Sequence, residues 1–276
     1  MNTEGSDLLK KTTEKIMDKS YDDTIKPAAK EVGELFARPL KVLNSMFQKL
    51  DLWLYERDMN FEEAKKEIAR KIGNIAESEL VDAPKGYIFI PACQAISYVM
   101  DSDTLRSLYA NLLSKAMVKS TEKSVHPAYI EMIKQMSPTD AELFKYLMEE
   151  NDSNGILMLE LYFNNGDVIS TEEIGSFEVV NSTDFSFSVK NLERLGLVNI
   201  KRTDEEDDQL HKYNKVRASS IYRKYSEDHK GEKYGIDLSK GEVKEIKKTI
   251  YFTPIGREFY KVCIGSIDDY LKGETT

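Results

Sequence analysis

Cysteine is scarce in this chain of 276 residues, which contains only two. Cys93 and Cys263 lie in separate halves of the chain and in apolar surroundings. A disulfide framework or a zinc cluster needs more cysteines than this. Because a free cysteine packs as a small hydrophobic residue, we expect two buried free thiols of a cytoplasmic protein.

Long apolar runs are missing as well. No uninterrupted apolar stretch approaches the roughly 18 residues that a membrane span requires. The first residues, MNTEGSDLLKKTTEK, are polar and lack the apolar segment of a secretory signal peptide. Both absences favour a cytoplasmic location.

The chain also lacks an excess of positive charge. It has 39 Lys and Arg residues against 48 Asp and Glu residues, which gives a net charge of −9. A protein dedicated to duplex DNA usually shows a basic footprint. The charge balance therefore disfavours DNA as the default partner, although it leaves room for a local basic patch.

Short catalytic motifs are absent too. The sequence has no glycine-rich phosphate loop, no Gly-x-Ser-x-Gly elbow and no His-Glu-x-x-His pair. The run DEEDDQ at 204–209 has clustered carboxylates, but it lies in what looks like a mobile loop, where ligand geometry could not be held. We therefore expect no catalytic, cofactor-binding or metal-binding residues. An enzyme whose site assembles from dispersed residues is the competing interpretation.

The feature that the chain has in abundance is helical periodicity. We expect a flexible N-terminus at 1–20 and then a helical domain at 21–136. Apolar side chains recur at helical spacing in 32–50, where Pro39 should kink the helix, and in LRSLYANLLSKAM at 105–117. Between these segments, 87–90 looks extended, followed by a helix with Pro91 in its first turn.

The pattern becomes mixed from Ser137 onward. Ser137 is placed to cap a new helix, with Pro138 and Asp140 in its first turn. GILMLELYF at 155–163 either extends this helix or forms a strand. STEEIGSF at 170–177 fits a short second helix.

A third helix is predicted at 182–197, with Gly196 in the C-terminal stop position. VNIKR at 198–202 and KKTIYFT at 247–253 indicate two strands, and 254–267 indicates the last helix.

These segments predict a mainly α fold in which a helical region precedes a winged-helix-like α/β domain at 137–268. This domain would contain a small antiparallel sheet, and a short tail at 269–276 would follow it. The interval between the two predicted strands, about 203–245, is far longer than an ordinary wing. It is predicted to be a long insertion, either elaborated or partly disordered.

The middle of the chain carries motifs in a familiar order. IPACQAISYVMDSDTLRSLYANLLSKAM at 90–117 is followed by HPAYIEMIKQMSPTDAELF at 126–144. Together with the preceding helices, these segments resemble the prokaryotic abortive infection alpha family, and the resemblance covers roughly residues 21–265. It implies a role in bacterial defence against phage, in which an infected cell stops growing or dies before phage are released. No catalytic motif or ligand accompanies the resemblance.

Three residues match the family's pattern, and we interpret them as structural. Asn111 lies inside an apolar helix, where a buried amide would bond another helix or a backbone carbonyl. His126, followed by Pro127, has no Cys, Asp or Glu at ligand spacing, so we expect it to cap or pack a helix start. The family often has an aspartate after ANLLAxAM, and its absence here argues against acid chemistry at that point.

Surface composition suggests a protein partner. The stretch Leu40–Tyr55 is unusually apolar and carries few lysines, which favours packing in a bundle or against a second subunit over contact with a membrane surface. We therefore expect a homo-oligomer or a complex with a phage or host protein.

The alternative is a nucleic-acid-binding winged-helix regulator. Its third helix offers Lys190 and Arg194 with an acid between them, which is a poor phosphate clamp. The insertion mixes cations with tyrosines, as single-strand-binding segments do. Its candidate contacts are Lys212, Lys215, Arg217, Tyr222, Arg223 and Lys224. The same composition also describes a solvated loop whose basic half pairs with its acidic half.

Overall fold

Helices dominate the structure, a computed structural model that describes residues 41, 43–45, 61–99, 101–150, 155–164, 169–175, 182–203, 213–228, 232–233, 236–237, 241–267 and 270. The helices are α1 (Phe61–Lys71), α2 (Gly86–Ile96), α3 (Asp103–Ala116), α4 (Pro127–Lys134), α5 (Pro138–Glu149), α6 (Ser182–Arg194), α7 (Asn214–Arg217), α8 (Ser220–Asp228) and α9 (Pro254–Phe259). Helix α9 continues as a π-helical segment, Tyr260–Ile264.

The strands form one antiparallel sheet and one short ribbon. They are β1 (Ile156–Asn164), β2 (Ile169–Gly175), β3 (Val198–Arg202), β4 (Glu232–Lys233), β5 (Ile236–Asp237) and β6 (Glu242–Phe252). The sheet order is β2-β1-β6-β3, and β4 pairs with β5 alone. The prediction of a mainly helical protein with a small antiparallel sheet is therefore confirmed.

The prediction of a second helix at 170–177 was wrong, because strand β2 lies there. Ile174 pairs with Leu159 of β1, and both are buried. Strand β1 offers hydrogen bonds to every second residue of this segment. These bonds stabilise a strand more than the weak helical pattern of the short segment stabilises a helix. The same pairing shows that the segment 155–163 forms a strand and does not extend helix α5.

The prediction of an extended segment at 87–90 was wrong as well. Helix α2 begins at Gly86 and contains Pro91 in its interior. Burial explains the difference, since Ile88, Phe89 and Ala92 meet the core at helical spacing. This apolar contact compensates for the one hydrogen bond that a proline removes from a helix.

Helix ends in the middle of the chain follow the local sequence. Ser137 and Asp140 form a reciprocal capping box at the start of α5, with Pro138 in its first turn. Gly196, two residues after the end of α6, has φ of 73°, a conformation that favours glycine. These predicted helix boundaries are confirmed.

The sheet separates two apolar clusters. The inner face, which includes Ile156 and Met158, joins the main core with helices α1–α6 and the last helix. The outer face, with Leu159 and Leu161, packs against Tyr213 and against residues of α7 and α8.

Part of the predicted insertion at 203–245 is therefore integrated into the fold. The returning strand β6 begins earlier than predicted, at Glu242.

Several predictions lie outside the described residues. They include the flexible start at 1–20 and most of the apolar stretch Leu40–Tyr55, of which Lys41 and 43–45 are described. The tail at 269–276 is described at Tyr270 alone.

Two side chains of helix α3 cap the C-terminal end of the π-helical segment. The amide of Asn111 donates to the carbonyls of Cys263 (2.8 Å) and Ile264 (3.2 Å). One turn later, Lys115 Nζ donates to the carbonyls of Val262 (3.1 Å) and Gly265 (2.6 Å). Both donors are buried. A helix end leaves carbonyls without intrahelical partners, and here two side chains of another helix supply donors to four of them.

The last helix in turn fixes the sheet. Thr253 caps α9 and donates its hydroxyl to the carbonyl of Gly196 at 2.6 Å. Gly256 lies against the backbone of Leu197, where an added Cβ would approach the carbonyl oxygen to 2.0 Å. Helix α9 and the turn before β3 are therefore in close backbone contact.

Replacing Asn111 by leucine should destabilise the protein. The side chain keeps its volume, but the buried carbonyl of Cys263 and the part-buried carbonyl of Ile264 lose a donor, at a total cost of about 1–3 kcal/mol. The measurement is the free energy of unfolding from urea titration. Asn199→Ala, at an exposed position of β3, should change it by less than about 0.5 kcal/mol. Equal effects of the two substitutions would contradict the structural role of Asn111.

Candidate functional site: the uncharged face of helix α2

Helix α2 lies in the longest stretch of the chain without a charge. No charged residue occurs from Gly86 to Met100, although 32% of all residues are charged. Apolar and charged side chains usually segregate to opposite faces of a surface helix. Helix α2 has no charged face to turn toward solvent.

One side of the helix is fixed in the core. Its buried residues are Ile88, Phe89, Ala92, Cys93, Ala95 and Ile96. The helix contacts α3 and α4. This burial determines which residues point outward and holds them in place.

The other side exposes large apolar residues in one line. Tyr87 is 62% exposed, Ile90 38% and Tyr98, in the turn after the helix, 69%. Pro91 and Gln94 are half-buried between them. We name Tyr87, Ile90, Pro91, Gln94 and Tyr98 the α2 face. Their spacing of three or four residues is that of one helical stripe, roughly 16 Å long at 1.5 Å per residue.

A stripe of this kind is typical of a binding surface. Single exposed apolar residues are common on proteins, but a continuous apolar surface without charges marks a site that a partner covers. Tyrosine in particular is enriched at protein interfaces. The α2 face is therefore our candidate functional site.

The family-pattern residues lie elsewhere and make structural contacts. Asn111 belongs to the cap described above. His126 is the N-cap of α4 and accepts a hydrogen bond from the backbone N–H of Ala128 through Nδ1 at 3.1 Å. Pro127 occupies the first turn of that helix.

The two cysteines are both free and buried, as predicted. Burial raises the pKa of Cys263 well above its ordinary value, and the charge of Lys115 only partly opposes this. The thiol therefore stays protonated and is a poor nucleophile.

The cations of the predicted third helix, α6, bond to other parts of the protein. Lys190 Nζ lies 3.0 Å from a carboxylate oxygen of Glu173 and 3.4 Å from one of Glu193. Arg194 donates to the side chains of Gln135 (2.8 Å) and Asn191 (2.7 Å). These contacts engage donors of both side chains, and the two carboxylates offset the charge of Lys190.

The candidate residues of the insertion fall into two groups, those that bond to β6 and those that are exposed on α7 and α8. Arg217 pairs with Glu245 of β6 at 2.6 Å, and the hydroxyl of Tyr222 donates to the same carboxylate at 2.6 Å. The hydrogen bond from Arg217 is the main reason that the pKa of Glu245 lies below its ordinary value. The other described candidates are exposed on α7 and α8, namely Lys215, Arg223 and Lys224. Lys212 lies outside the described residues.

A network of charges connects α6 to the inner face of the sheet. Glu173 of β2 lies directly opposite Glu160 of β1 in the pairing register. Lys248 contacts both carboxylates, and Ser186 donates its hydroxyl to Glu173 at 2.7 Å. The cation between the two glutamates relieves the repulsion that like charges on paired strands cause.

This network lowers the pKa of Glu173. Burial alone would raise that pKa, but the hydrogen bonds from Ser186 and Lys190 and the charges of Lys190 and Lys248 outweigh it. The pKa of Lys190 is raised because its bonds to Glu173 and Glu193 outweigh the effect of burial. The ionised forms are therefore the ones that the folded protein stabilises.

Two further observations concern metal binding and membrane spans. Within the described ranges, no three His, Cys, Asp or Glu side chains come together in a group that could hold a metal ion. Among the helices placed in the structure, none has both the length and the apolarity needed to cross a bilayer.

Sequence reasoning missed the α2 face and the exposure of Phe187. The absence of charge from Gly86 to Met100 was visible, but reading 87–90 as extended hid the helical stripe. Phe187 is 72% exposed on α6, whereas its neighbour Ser188 is buried. Only the packing of α6 on the sheet determines which of these neighbours points outward.

Replacing Glu173 by glutamine should weaken the fold and reduce its acid sensitivity. A carboxylate with a lowered pKa stabilises the fold above its ordinary pKa of 4.5 and loses this effect as the pH falls through the folded value. The variant should lose about 1–3 kcal/mol of unfolding free energy at pH 7, since its buried partners lose a charge. Its free energy of unfolding should then fall less steeply below pH 4.5.

Urea titrations at a series of pH values measure both effects. Glu227→Gln, at an exposed position of α8, is the control and should leave the pH profile unchanged. Parallel profiles for wild type and Glu173→Gln would show that Glu173 does not carry this dependence.

Comparison with known proteins places the chain in a family. Residues 56–263 match the family described as "Abortive infection alpha", which confirms the resemblance seen in the sequence. No curated protein matches the chain. A solved structure of an uncharacterized protein from the hydrocarbon-degrading marine bacterium Alcanivorax borkumensis SK2 is similar at 18% identity and a TM-score of 0.30, covering 49% of this chain and 91% of that one. That likeness is too distant to carry an argument. Because the family match spans most of its length, the chain belongs to the abortive infection alpha family.

Proposed function

We propose that this protein acts in abortive infection as a non-enzymatic interaction module, which senses or blocks a phage or host component in the cytoplasm. The α2 face carries this proposal. A helix without charges, with Tyr87 and Tyr98 more than half exposed, lowers the solubility of the protein unless a partner covers it. Family membership supplies the setting of abortive infection.

The arrangement of polar groups supports a role in binding rather than catalysis. The carboxylates of Glu173 and Glu245 are held by Lys and Arg side chains and by hydroxyl groups. The thiol of Cys263 is buried and protonated. The two carboxylates and their partners satisfy one another, as structural networks do, and they hold the sheet, α6 and α7 in place.

We also propose that 137–268 is a winged-helix-like module. The order β1-β6-β3 within the sheet, with α5 before β1 and α6 before β3, supports this arrangement. Strand β2 stands where such a module has its second helix. A helix-turn-helix reader presents cations on its third helix, whereas Lys190 and Arg194 are engaged by neighbours and Phe187 is exposed. These contacts favour a protein-binding use of the module over nucleic-acid binding.

The double substitution Tyr87→Asp and Tyr98→Asp should abolish defence without unfolding the protein. Two charges on the α2 face would have to be desolvated on binding, so partner affinity should fall by about tenfold or more. The measurement is the efficiency of phage plating on cells that express the protein. Circular dichroism should show an unchanged helical fold.

Phe187→Asp is the matched control, since it also places a charge at an exposed aromatic position, on α6. It should retain protection. Full protection by the double variant would show that the α2 face is not the functional surface.

A further inference from the structure

We propose that helix α6 prevents both edges of the four-stranded sheet from pairing with a second copy of this chain. A sheet edge presents backbone N–H and C=O groups that can pair with another strand. Strands β2 and β3 are the outer strands of this sheet. Ser186 and Glu193 of α6 each accept a hydrogen bond from one of them, and we name these two residues the edge caps.

The cap on β3 occupies an N–H group that faces away from the sheet. The backbone N–H of Ile200 donates to Oε1 of Glu193 at 3.1 Å. Successive residues of an antiparallel strand direct their backbone groups alternately toward the paired strand and away from it. Thr203 donates its N–H to the carbonyl of Lys247 in β6, so positions 200 and 202 face outward. Glu193 therefore takes a donor that an added strand would need.

The cap on β2 is arranged in the same way. The backbone N–H of Glu173 donates to Oγ of Ser186 at 3.3 Å, and the hydroxyl of Ser186 donates in return to the carboxylate of Glu173 at 2.7 Å. The N–H of Glu173 therefore faces away from Glu160, its pairing partner in β1. By the same alternation, position 171 also faces outward.

The spacing of the edge caps suits a helix that reaches both outer strands. Ser186 and Glu193 are seven positions apart, which is about 10.5 Å along a helix. The outer strands of a four-stranded sheet lie roughly 14 Å apart. The long side chain of Glu193 extends over part of the difference, whereas the short side chain of Ser186 bonds to a strand directly beside it.

Lys190 connects the two edge caps. Its Nζ lies 3.0 Å from Oε1 of Glu173 and 3.4 Å from Oε2 of Glu193. The other oxygen of Glu193 is the one that accepts from Ile200. Because both caps belong to one helix and contact one cation through this network, a movement of α6 would open both edges together.

The positions beside the caps are those through which an added strand would pair. Thr171 of β2 and Arg202 of β3 have outward backbone groups, and their side chains are exposed. Pairing of β2 in one copy with β3 in the next is a head-to-tail contact, which gives rings or open chains rather than a symmetric dimer. Loss of both caps should therefore produce species larger than a dimer.

Replacing Glu193 by leucine should release the N–H of Ile200. Leucine has no acceptor, whereas Glu193→Gln keeps a carbonyl oxygen and is the matched control. Hydrogen exchange of the Ile200 amide, measured by NMR, should become about tenfold faster in Glu193→Leu, as expected for the loss of one hydrogen bond. It should change little in Glu193→Gln.

The double substitution Ser186→Ala, Glu193→Leu removes both caps. Its matched control is Ser186→Thr, Glu193→Gln, which retains a hydroxyl and a carbonyl oxygen. In sedimentation velocity of the full chain over a concentration series, the first variant should form larger species at a protein concentration about tenfold lower than the wild type requires. The control should follow the wild type. Circular dichroism checks that each variant is folded, and Glu193→Leu alone gives the same comparison at one edge if the double variant does not fold.

Proline substitutions test whether the larger species form through the sheet. Thr171→Pro and Arg202→Pro each remove an outward N–H group without removing a hydrogen bond between strands of the sheet. Added to Ser186→Ala, Glu193→Leu, the two prolines should restore the sedimentation of the wild type.

Three results would overturn the proposal. Unchanged exchange at Ile200 in Glu193→Leu would show that the carboxylate does not cap β3. Wild-type sedimentation of the folded variant without caps would show that the caps do not prevent pairing. Larger species that persist with both prolines, or that also form in Ser186→Thr, Glu193→Gln, would place the contact outside the sheet edges.

Discussion

The fold depends on the bonds that Asn111 and Lys115 make to the end of the last helix. Four carbonyls at 262–265 accept hydrogen bonds from these two side chains of α3. A lysine that is buried completely is costly unless its ammonium group is bonded, and here its donors meet carbonyls at the negative end of a helix dipole. The contact joins residues about 150 positions apart. It therefore connects the helical half of the chain to its C-terminal part.

Other elements follow from this connection. Helix α9 reaches the turn before β3 through Thr253 and Gly256, and β3 pairs with β6 at the edge of the sheet. The inner face of the sheet then receives α6, whose Ser186 and Lys190 bond to Glu173. Helix α6 thereby closes over the inner face of the sheet.

The same scaffold determines which side of helix α2 is exposed. Its contacts with α3 and α4 bury one face, and the rest of the uncharged stripe is left at the surface. An apolar surface on a rigid helix binds with little loss of conformational entropy, because its backbone is already ordered.

The sequence alone determined the helical composition, the capping box at Ser137, the stop at Gly196, the strands at 198–202 and 247–253, the buried thiols and the family. These follow from local rules, in which a residue's own chemistry or its near neighbours decide. Tertiary structure decided the rest. Strand β2 formed because β1 offered it hydrogen bonds, and α2 includes Pro91 because the core accepted its apolar face. The sequence shows that 86–100 has no charge, but only packing on α3 and α4 decides which of its side chains face outward.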